Sequence, residues 1–221
     1  MGNFVVHCDG LPVQQNFEVK YLGVLLDDRF TGSAHVKNML KTCMGRLSFL
    51  YRNSSLLDFS CRKLLCSSLI QPYLDYCSLS WYSGVTAQLR SRLDVTQRKM
   101  VRFVFSLENR AHVGNVELAS LSWLSVLDRV NYFKLVQLFK IRTGSAPHYL
   151  LSDFKLVSDS HTHVTRGSKS NYQTSKSLAL AQTTFSYTVI KVWNSLPPFL
   201  KEPMSLPLFK RRLKEYLLSR Y

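Results

Sequence analysis

The sequence lacks the long apolar run that a membrane-spanning helix needs. None of its 221 residues lies in a stretch approaching the roughly 20 consecutive apolar residues that cross a bilayer. The segment MGNFVVHCDG also lacks the charged and apolar regions of a secretion signal. We therefore expect a chain that does not bind membranes and that resides in the cytoplasm or the nucleus.

Cysteine pairs of the C-x-x-C type are also absent. The five cysteines are scattered and odd in number, which argues against a disulfide framework and against a structural zinc site. Most of them lie within apolar helical patterns, so we expect reduced, buried thiols in a reducing compartment. They are Cys8, Cys43, Cys61, Cys66 and Cys77.

Acidic residues are scarce, and their scarcity limits metal-dependent chemistry. Asp27-Asp28 is the only adjacent acidic pair. A two-metal polymerase site needs carboxylates from separate elements that converge on ions about 4 Å apart. The N-terminal strands offer only Asp9 and Glu18 as further candidates. We therefore interpret Asp27-Asp28 as part of a strand-to-helix turn, with its carboxylates solvated or capping the turn.

Other patterns of catalytic or metal-binding residues are missing. The sequence contains no G-x-S-x-G, P-loop or G-x-G-x-x-G motif, and no Cys-Cys-His-Cys knuckle. His161 and His163 lie in a Ser-rich segment without a neighbouring cysteine, so we interpret them as loop residues. The sequence predicts no metal and no cofactor.

Positive charge is what the sequence has in excess. Lys and Arg number 29 against 14 Asp and Glu, which gives a formal net charge of +15. Such an excess favours a polyanionic partner, either nucleic acid or an acidic membrane surface, although a solvated basic surface without a partner remains the alternative. We favour nucleic acid.

Hydrophobic periodicity predicts a mainly α fold, with an N-terminal β-hairpin that ends near Leu26 and about seven helices after it. The hairpin is predicted from FVVHCDG and FEVKYLGVLL, joined by LPVQQN. Apolar residues three and four apart mark a helix from Val36 to Leu50, with Ser33 as its N-cap, and another over about 86–106. A further helix is predicted to begin near Asp58, and Pro72 should kink or end it. The other helices are predicted around ELASLSWLSV, over 128–142, in FSYTVIKVWN, and after Ser205. Trp81, Trp123 and Trp193 are predicted as core residues.

Several stretches, taken in order, resemble a known family. They are VKYLGVLLDD, RLSFLYRNSSLL, KLLCSSLIQPYLDYCSLSWY, RLDVTQRKMVRFVF, FSYTVIKVWNSLPPFL and LPLFKRRLKEYLL. The chain resembles the C-terminal part of the reverse transcriptase of LINE-type (non-long-terminal-repeat) retrotransposons. In that family a K-Y-L-G hairpin at the palm–thumb boundary, called the primer grip, follows the catalytic core. Lys20, Tyr21, Leu22 and Gly23 match it, and the later helices correspond to a thumb that cradles the template–primer duplex.

The resemblance implies four regions. Residues 1–32 correspond to the palm-end hairpin and 33–157 to a helical, thumb-like domain. Residues 158–177 form a Ser-rich loop or linker, which does not align with the Arg-rich, Pro-containing segment of the family. Residues 178–221 form a C-terminal helical segment.

The family's catalytic carboxylates lie in an aromatic-Ala-Asp-Asp turn that precedes the K-Y-L-G hairpin. No such turn occurs in these 221 residues, and Asp75 and Tyr76 lie in the wrong element and order to replace it. The sequence therefore suggests a truncated copy that starts at an internal Met, lacks the palm and is not an enzyme.

Three functions are compatible with these patterns. The first is non-sequence-specific binding of an RNA–DNA or DNA duplex. The second is a helical protein-interaction or structural module, or a relic without a selected role, which exposes its palm-facing apolar surface and self-associates through it. The third, an unrelated enzyme, has no assembled set of catalytic residues. The predicted nucleic-acid contacts are Lys20, Tyr21, Gly23, Lys37, Lys41, Arg90, Arg98, Lys99 and Arg102.

Overall fold

The computed structural model describes residues 6–159, 170–174 and 181–221. Within these residues four short strands precede nine α-helices. The strands are β1 (His7–Cys8), β2 (Leu11–Pro12), β3 (Glu18–Tyr21) and β4 (Val24–Asp27). The helices are α1 (Ser33–Arg52), α2 (Phe59–Leu69), α3 (Gln71–Asp75), α4 (Ser78–Trp81), α5 (Ala87–Phe105), α6 (Asn115–Ser120), α7 (Val126–Arg142), α8 (Phe185–Asn194) and α9 (Leu206–Leu218).

The predicted mainly α architecture, with an N-terminal hairpin before the helices, is confirmed. The two helices beyond the predicted seven are α3 and α4. They divide the aromatic stretch PYLDYCSLSWY, in which Pro72 lies in the first turn of α3 and Cys77 adopts a φ of 48° between the two helices. Pro72 therefore marks the start of a new helix after α2 has ended.

The hairpin itself pairs differently from the prediction. β3 pairs with β4, so both strands come from FEVKYLGVLLD. The first predicted strand supplies only β1, which forms a smaller hairpin with β2 from the predicted connection LPVQQN. The turn between β3 and β4 is Leu22-Gly23, with φ values of 45° and 84°. Two consecutive positive φ angles define the type I′ turn, whose twist matches that of paired strands. Leucine rarely adopts this conformation, and the sequence therefore gave no strong turn signal there.

The helix starts follow local hydrogen bonding. Asp58 caps α2 and accepts a bond from the Cys61 N–H at 2.7 Å, while Thr86 caps α5. The prediction of Ser33 as N-cap is wrong by one residue. Ser33 is the first residue of α1, and its N–H donates to Thr31 Oγ1 at 3.2 Å, so the threonine supplies the acceptor.

A first hydrophobic core, here called the N-terminal cluster, extends from Val24 to Val130. α1 packs along α5, and their predicted apolar seams meet within this cluster. The fully buried side chains include Val36, Leu47, Leu93 and Met100. Burying each one contributes roughly 1.5–3 kcal/mol relative to exposure, so this contact holds the two helices in fixed register.

A second core, the C-terminal cluster, extends from Leu124 to Leu217. Here α7 packs against α8 and α9, and the rings of Phe139 and Phe209 stack with centroids 4.1 Å apart. Trp193 is fully buried, and Trp81 and Trp123 are buried in the N-terminal cluster, as predicted. α7 joins the clusters, because Val130 lies in the first and Leu135 in the second.

Trp193 and Asn194 also hold the segment 170–174 against α8. The Trp193 indole N–H donates to the Ser170 carbonyl at 2.8 Å. The Asn194 amide accepts from the Tyr172 N–H at 3.0 Å and donates to the Tyr172 carbonyl at 2.8 Å. The W-N pair in VWNSLPPFL therefore has a structural role. His161 and His163, together with most of the predicted Ser-rich loop, lie outside the described residues.

Candidate nucleic-acid interface

Most cationic side chains in the described part of the chain have no carboxylate partner. Among the described residues a single ion pair is formed, in which the Arg129 guanidinium donates two hydrogen bonds to the Asp75 carboxylate. Cationic side chains without nearby carboxylates produce a positive field that attracts polyanions. The distribution of these side chains over the surface therefore decides where a polyanion would bind.

A shallow groove of about 180 Å³ lies between α1 and α5. We call it the α1–α5 groove. Its cationic lining residues are Arg92 and Lys99, and no acidic residue lines it. The Tyr51 hydroxyl donates to the Lys99 carbonyl at 3.2 Å and fastens α5 to the end of α1 beside the groove. The complete lining is Leu40, Met44, Ser91, Arg92, Val95, Thr96 and Lys99.

Two residues that were predicted to contact nucleic acid lie beside this groove. Lys37 and Lys41 are exposed on α1, and each precedes a groove residue, Leu40 or Met44, by three positions. Helix residues three apart are surface neighbours. Lys37, Lys41 and Lys99 therefore lie on one surface, which carries cations from both helices.

Arg92 belongs to the same surface and was missed by the sequence analysis. Arg92 and Lys99 both line the groove and are seven residues apart, which is two helical turns. The seven-residue spacing from Lys99 was the signal that could have identified Arg92.

The structure directs two other predicted contacts inward. The Arg90 guanidinium donates to the Ser83 carbonyl at 2.9 Å and lies over the Tyr82 ring, 5.1 Å from its centroid. The Arg102 Nε–H donates to the Ala111 carbonyl at 2.8 Å. Both side chains hold loops of the protein, so their charge is less available to a ligand.

Arg98 occupies a third environment. It is exposed and lines a separate cleft of about 230 Å³ that also contains Asp94. Burial raises the pKa of the Asp94 carboxyl, while the charge of Arg98 lowers it. Arg98 therefore faces an acidic neighbour and not the α1–α5 groove.

Of the remaining predicted contacts, Lys20 and Gly23 line a cleft beneath the β3–β4 turn, here called the hairpin cleft, while Tyr21 is exposed and does not line it. The cleft measures about 440 Å³, and two tyrosines of the P-Y-L-D-Y segment also line it. The Tyr76 hydroxyl donates to the Leu22 carbonyl at 2.6 Å. A Cβ atom on Gly23 would lie 3.3 Å from the Tyr76 ring, so a glycine suits this close approach. The lining residues are Lys20, Gly23, Leu25, His35, Asn38, Met39, Thr42, Pro72, Tyr73 and Tyr76.

The hairpin cleft and the α1–α5 groove lie on opposite flanks of α1. The cleft is lined from α1 by His35, Asn38, Met39 and Thr42, and the groove by Leu40 and Met44. At 100° per residue the mean directions of the two sets differ by roughly 170°. Lys37, Lys41 and Lys99 on one side and Lys20 and Gly23 on the other, although predicted as one nucleic-acid site, therefore lie on different surfaces.

His35 adds no positive charge to the hairpin cleft. Its ring is 8% exposed, and burial lowers the pKa of the imidazole. Its Nδ1 accepts a hydrogen bond from the Leu25 N–H at 3.4 Å, which requires Nδ1 to be unprotonated. His35 is therefore neutral near pH 7 and helps to fix β4 on α1.

Asp27 has the turn role that its position predicted. Its carboxylate accepts from the Thr31 N–H at 2.9 Å, from the Thr31 hydroxyl at 3.0 Å and from the Arg29 N–H at 3.2 Å. Partial burial raises the pKa of Asp27, but these hydrogen bonds outweigh it and leave the pKa below its usual value. Across the part of the chain that is described, no group of three or more His, Cys, Asp or Glu residues could hold a metal ion.

The described helices also include none that is long and apolar enough to cross a membrane.

A comparison with known proteins relates the chain to retrotransposon polymerases. Over 130 residues, 57% of this chain, it is 28% identical to a protein of Drosophila melanogaster named "Probable RNA-directed DNA polymerase from transposon X-element". The match spans 14% of that relative's length. The chain matches no protein-family model and no solved structure. The similarity supports a relationship to retrotransposon reverse transcriptases.

This comparison contradicts the expectation that the chain is not an enzyme. The named relative is an RNA-directed DNA polymerase, so the similarity points toward an enzyme family. The earlier expectation depended on the lack of an Asp-Asp motif. That lack does not separate the chain from a polymerase, because the match covers a small part of a much longer protein.

Proposed function

We propose that this chain is part of a LINE-type retrotransposon RNA-directed DNA polymerase, from the thumb and the segment after it. We further propose that it holds a nucleic-acid duplex, either RNA–DNA or DNA. The ordered family motifs and the similarity to the X-element polymerase support the first statement. The observation that carries the second is the α1–α5 groove, which is lined by cations from one helix, flanked by cations from the other and lined by no acid.

The groove is suited to phosphates and not to reading base sequence. Lys and Arg attract a phosphate backbone through charge, and such contacts position a protein without sequence information. The other groove residues are small or apolar, with only Ser91 and Thr96 as polar side chains. Binding is therefore expected to be strong at low salt and to depend little on sequence.

The hairpin turn has a separate role in this proposal. Lys20, Tyr21 and Gly23 match the family's primer-grip motif, and Tyr76 fixes the turn against the helical body. On this proposal, DNA synthesis is the activity of the whole polymerase. The groove contributes by keeping the duplex in place, and the turn lies at the boundary between palm and thumb.

Salt-dependent binding tests the proposal. The chain and its variants Arg92→Gln and Lys99→Gln are titrated with a fluorescent duplex at several salt concentrations. Each variant should lower the slope of log K against log salt by about 0.9, because one phosphate contact is lost. Lys214→Gln on the exposed face of α9 is the matched control and should leave the slope unchanged. An affinity of the unmodified chain that is independent of salt would contradict duplex binding.

A further inference from the structure

The outer edge of β3 is an unpaired strand edge. In the described residues β3 pairs only with β4, so its other edge has no strand partner. All four residues of β3 are exposed, whereas Val24 in β4 is buried and β4 packs on α1. β3 therefore projects beyond the helical body as the free strand of a two-stranded sheet.

The hydrogen-bond pattern between β3 and β4 shows which backbone groups of β3 face the open edge. The Asp28 N–H donates to the Phe17 carbonyl at 3.0 Å, so Phe17 and Asp28 form a hydrogen-bonded pair. Such pairs alternate along antiparallel strands, so Val19–Leu26 and Tyr21–Val24 are also hydrogen-bonded. The N–H and C=O groups of Glu18 and Lys20 therefore point to the open edge.

β3 and the residue before it expose a row of large apolar side chains. Phe17 is 70% exposed, Val19 54% and Tyr21 63%. These residues alternate along the strand and so lie on one face of the sheet. Natural proteins usually shorten, bend or cover an edge that combines free backbone groups with exposed apolar residues.

We propose that this edge pairs with the β3 edge of a second copy of the chain, antiparallel and with Val19 on the two-fold axis. Hydrogen bonds can form between the two edges only when Glu18 and Lys20 lie opposite residues of the second copy whose backbone groups also face outward. This condition leaves three symmetric registers. Glu18 opposite Glu18 and Lys20 opposite Lys20 each place like charges face to face, which destabilises strand pairing. The register centred on Val19 instead places Glu18 opposite Lys20 of the second copy, twice.

The apolar side chains on the other face of the strand also fit this register. Phe17 lies opposite Tyr21 of the second copy on both sides of the axis, and Val19 lies opposite its own equivalent. Aromatic and β-branched cross-strand pairs are favourable in antiparallel sheets. The result is a four-stranded sheet in the order β4, β3, β3, β4. The exposed apolar rows of the two copies lie side by side on one face of this sheet.

This pairing does not use the α1–α5 groove, whereas Lys20 and Tyr21 of the predicted primer grip lie on the paired strand. The β3–β4 turn lies over the hairpin cleft, on the flank of α1 opposite the α1–α5 groove. The dimer therefore leaves Lys37, Lys41 and Lys99 open, and duplex binding in the groove and dimerisation can each fail without the other.

A charge-reversal experiment tests the register. Sedimentation velocity should show a concentration-dependent dimer for the unmodified chain. Glu18→Lys places two cations opposite each other at both contacts, and Lys20→Glu places two anions there. Each variant should weaken dimerisation by about tenfold or more. Mixing the two variants should restore the dimer, because each then faces the opposite charge. The exposed pair Glu202→Lys and Lys214→Glu, on the C-terminal segment, is the matched control and should dimerise like the unmodified chain.

Hydrogen exchange distinguishes this edge from any other dimer surface. The amides of Glu18 and Lys20 should become protected as the protein concentration rises. A monomer at all concentrations would overturn the proposal. A dimer insensitive to both variants, or one that mixing fails to restore, would also overturn it, as would edge amides that exchange equally fast at all concentrations.

Discussion

The N-terminal cluster keeps several cationic side chains on the surface of one groove, whereas two cationic side chains of the C-terminal cluster bond to the protein's own backbone. Beside the first cluster, Lys37, Lys41 and Arg92 remain on the surface around the α1–α5 groove. In the second, Lys201 donates to the Asn171 amide oxygen at 2.8 Å and to the Asn194 carbonyl at 3.0 Å. Arg142 donates to the Lys201 carbonyl at 2.9 Å. Net charge therefore identifies a polyanion-binding class of protein, but only geometry shows which cations are free to bind.

The largest effect is expected at the centre of the C-terminal cluster. Trp193→Ala removes a fully buried ring and its bond to the Ser170 carbonyl, and should lower the free energy of unfolding by roughly 3–5 kcal/mol. Chemical denaturation measures this loss. Duplex affinity, measured where the variant is still folded, should stay within about twofold, because the groove belongs to the other cluster. A tenfold loss of affinity in the folded variant would show that the clusters are not functionally separate.

Lys134 is a buried cationic residue at the junction of the two clusters, and it tests how burial of a charge affects stability. It is 5% exposed, its Nζ donates to Ser83 Oγ at 3.0 Å, and burial, with the charge of Arg90, lowers its pKa to about 8. Because the pKa is lower in the folded state, the unfolded state binds more protons between pH 8 and the usual 10.5, and the lysine's contribution to stability rises with pH through that window.

Lys134→Met should therefore stabilise the protein at pH 7 by about 1–3 kcal/mol, since one pKa unit corresponds to about 1.4 kcal/mol. The difference between variant and unmodified chain should shrink as the pH rises from 7 to 9. Urea denaturation at both pH values measures it. A difference that does not change with pH would show that Lys134 is not desolvated in the folded protein.

The hydrogen bonds between Asn194 and the segment 170–174 should contribute less to the free energy of unfolding than the buried Trp193 ring. Asn194→Ala leaves the Tyr172 N–H and carbonyl without their side-chain partner, which should cost about 1–3 kcal/mol. Ser195→Ala, next to it and exposed, is the control and should change stability by less than about 0.5 kcal/mol. Equal stability of the two variants would contradict the structural role of the W-N pair.

The smallest predicted effect lies in the hairpin. Gly23→Ala adds a Cβ at a φ of 84° and 3.3 Å from the Tyr76 ring, so it should destabilise the turn by about 1 kcal/mol. Gly144→Ala provides a comparison, because φ there is 72° but no atom lies within 4 Å of the added Cβ. Hydrogen exchange of the β3 and β4 amides should accelerate only in Gly23→Ala. Unchanged exchange would mean that the Tyr76 contact does not hold the turn.

Sequence periodicity predicted the helices well where one face is buried. The helix predicted from Val36 to Leu50 buries Val36, Cys43 and Leu47 on one face. The helix predicted after Ser205 buries Phe209, Leu213 and Leu217 on one face. Periodicity failed at PYLDYCSLSWY, where the positive φ of Cys77 separates two helices too short to show a repeat. The pairing of β3 with β4 was missed because a leucine occupies a turn position usually taken by Asn, Asp or Gly.

The candidate site was predictable only in part. Charge and helix position identified Lys37, Lys41 and Lys99 as surface residues of adjacent helices. Arg90 and Arg102 share that pattern, but the segments that flank α5 supply the carbonyls of Ser83 and Ala111 that hold them. Helix periodicity describes only α5 itself, so it does not show that these flanking segments fold back onto the two arginines.

The most direct test of the central claim is lysine labelling in the presence and absence of duplex. An amine-reactive reagent is applied at low salt, and mass spectrometry quantifies modification at each lysine. We expect Lys37, Lys41 and Lys99 to be protected by duplex, while Lys191 and Lys214 are modified equally with and without it. Protection confined to the C-terminal lysines, or absent from the three groove lysines, would contradict the assignment of the α1–α5 groove as the duplex-binding surface.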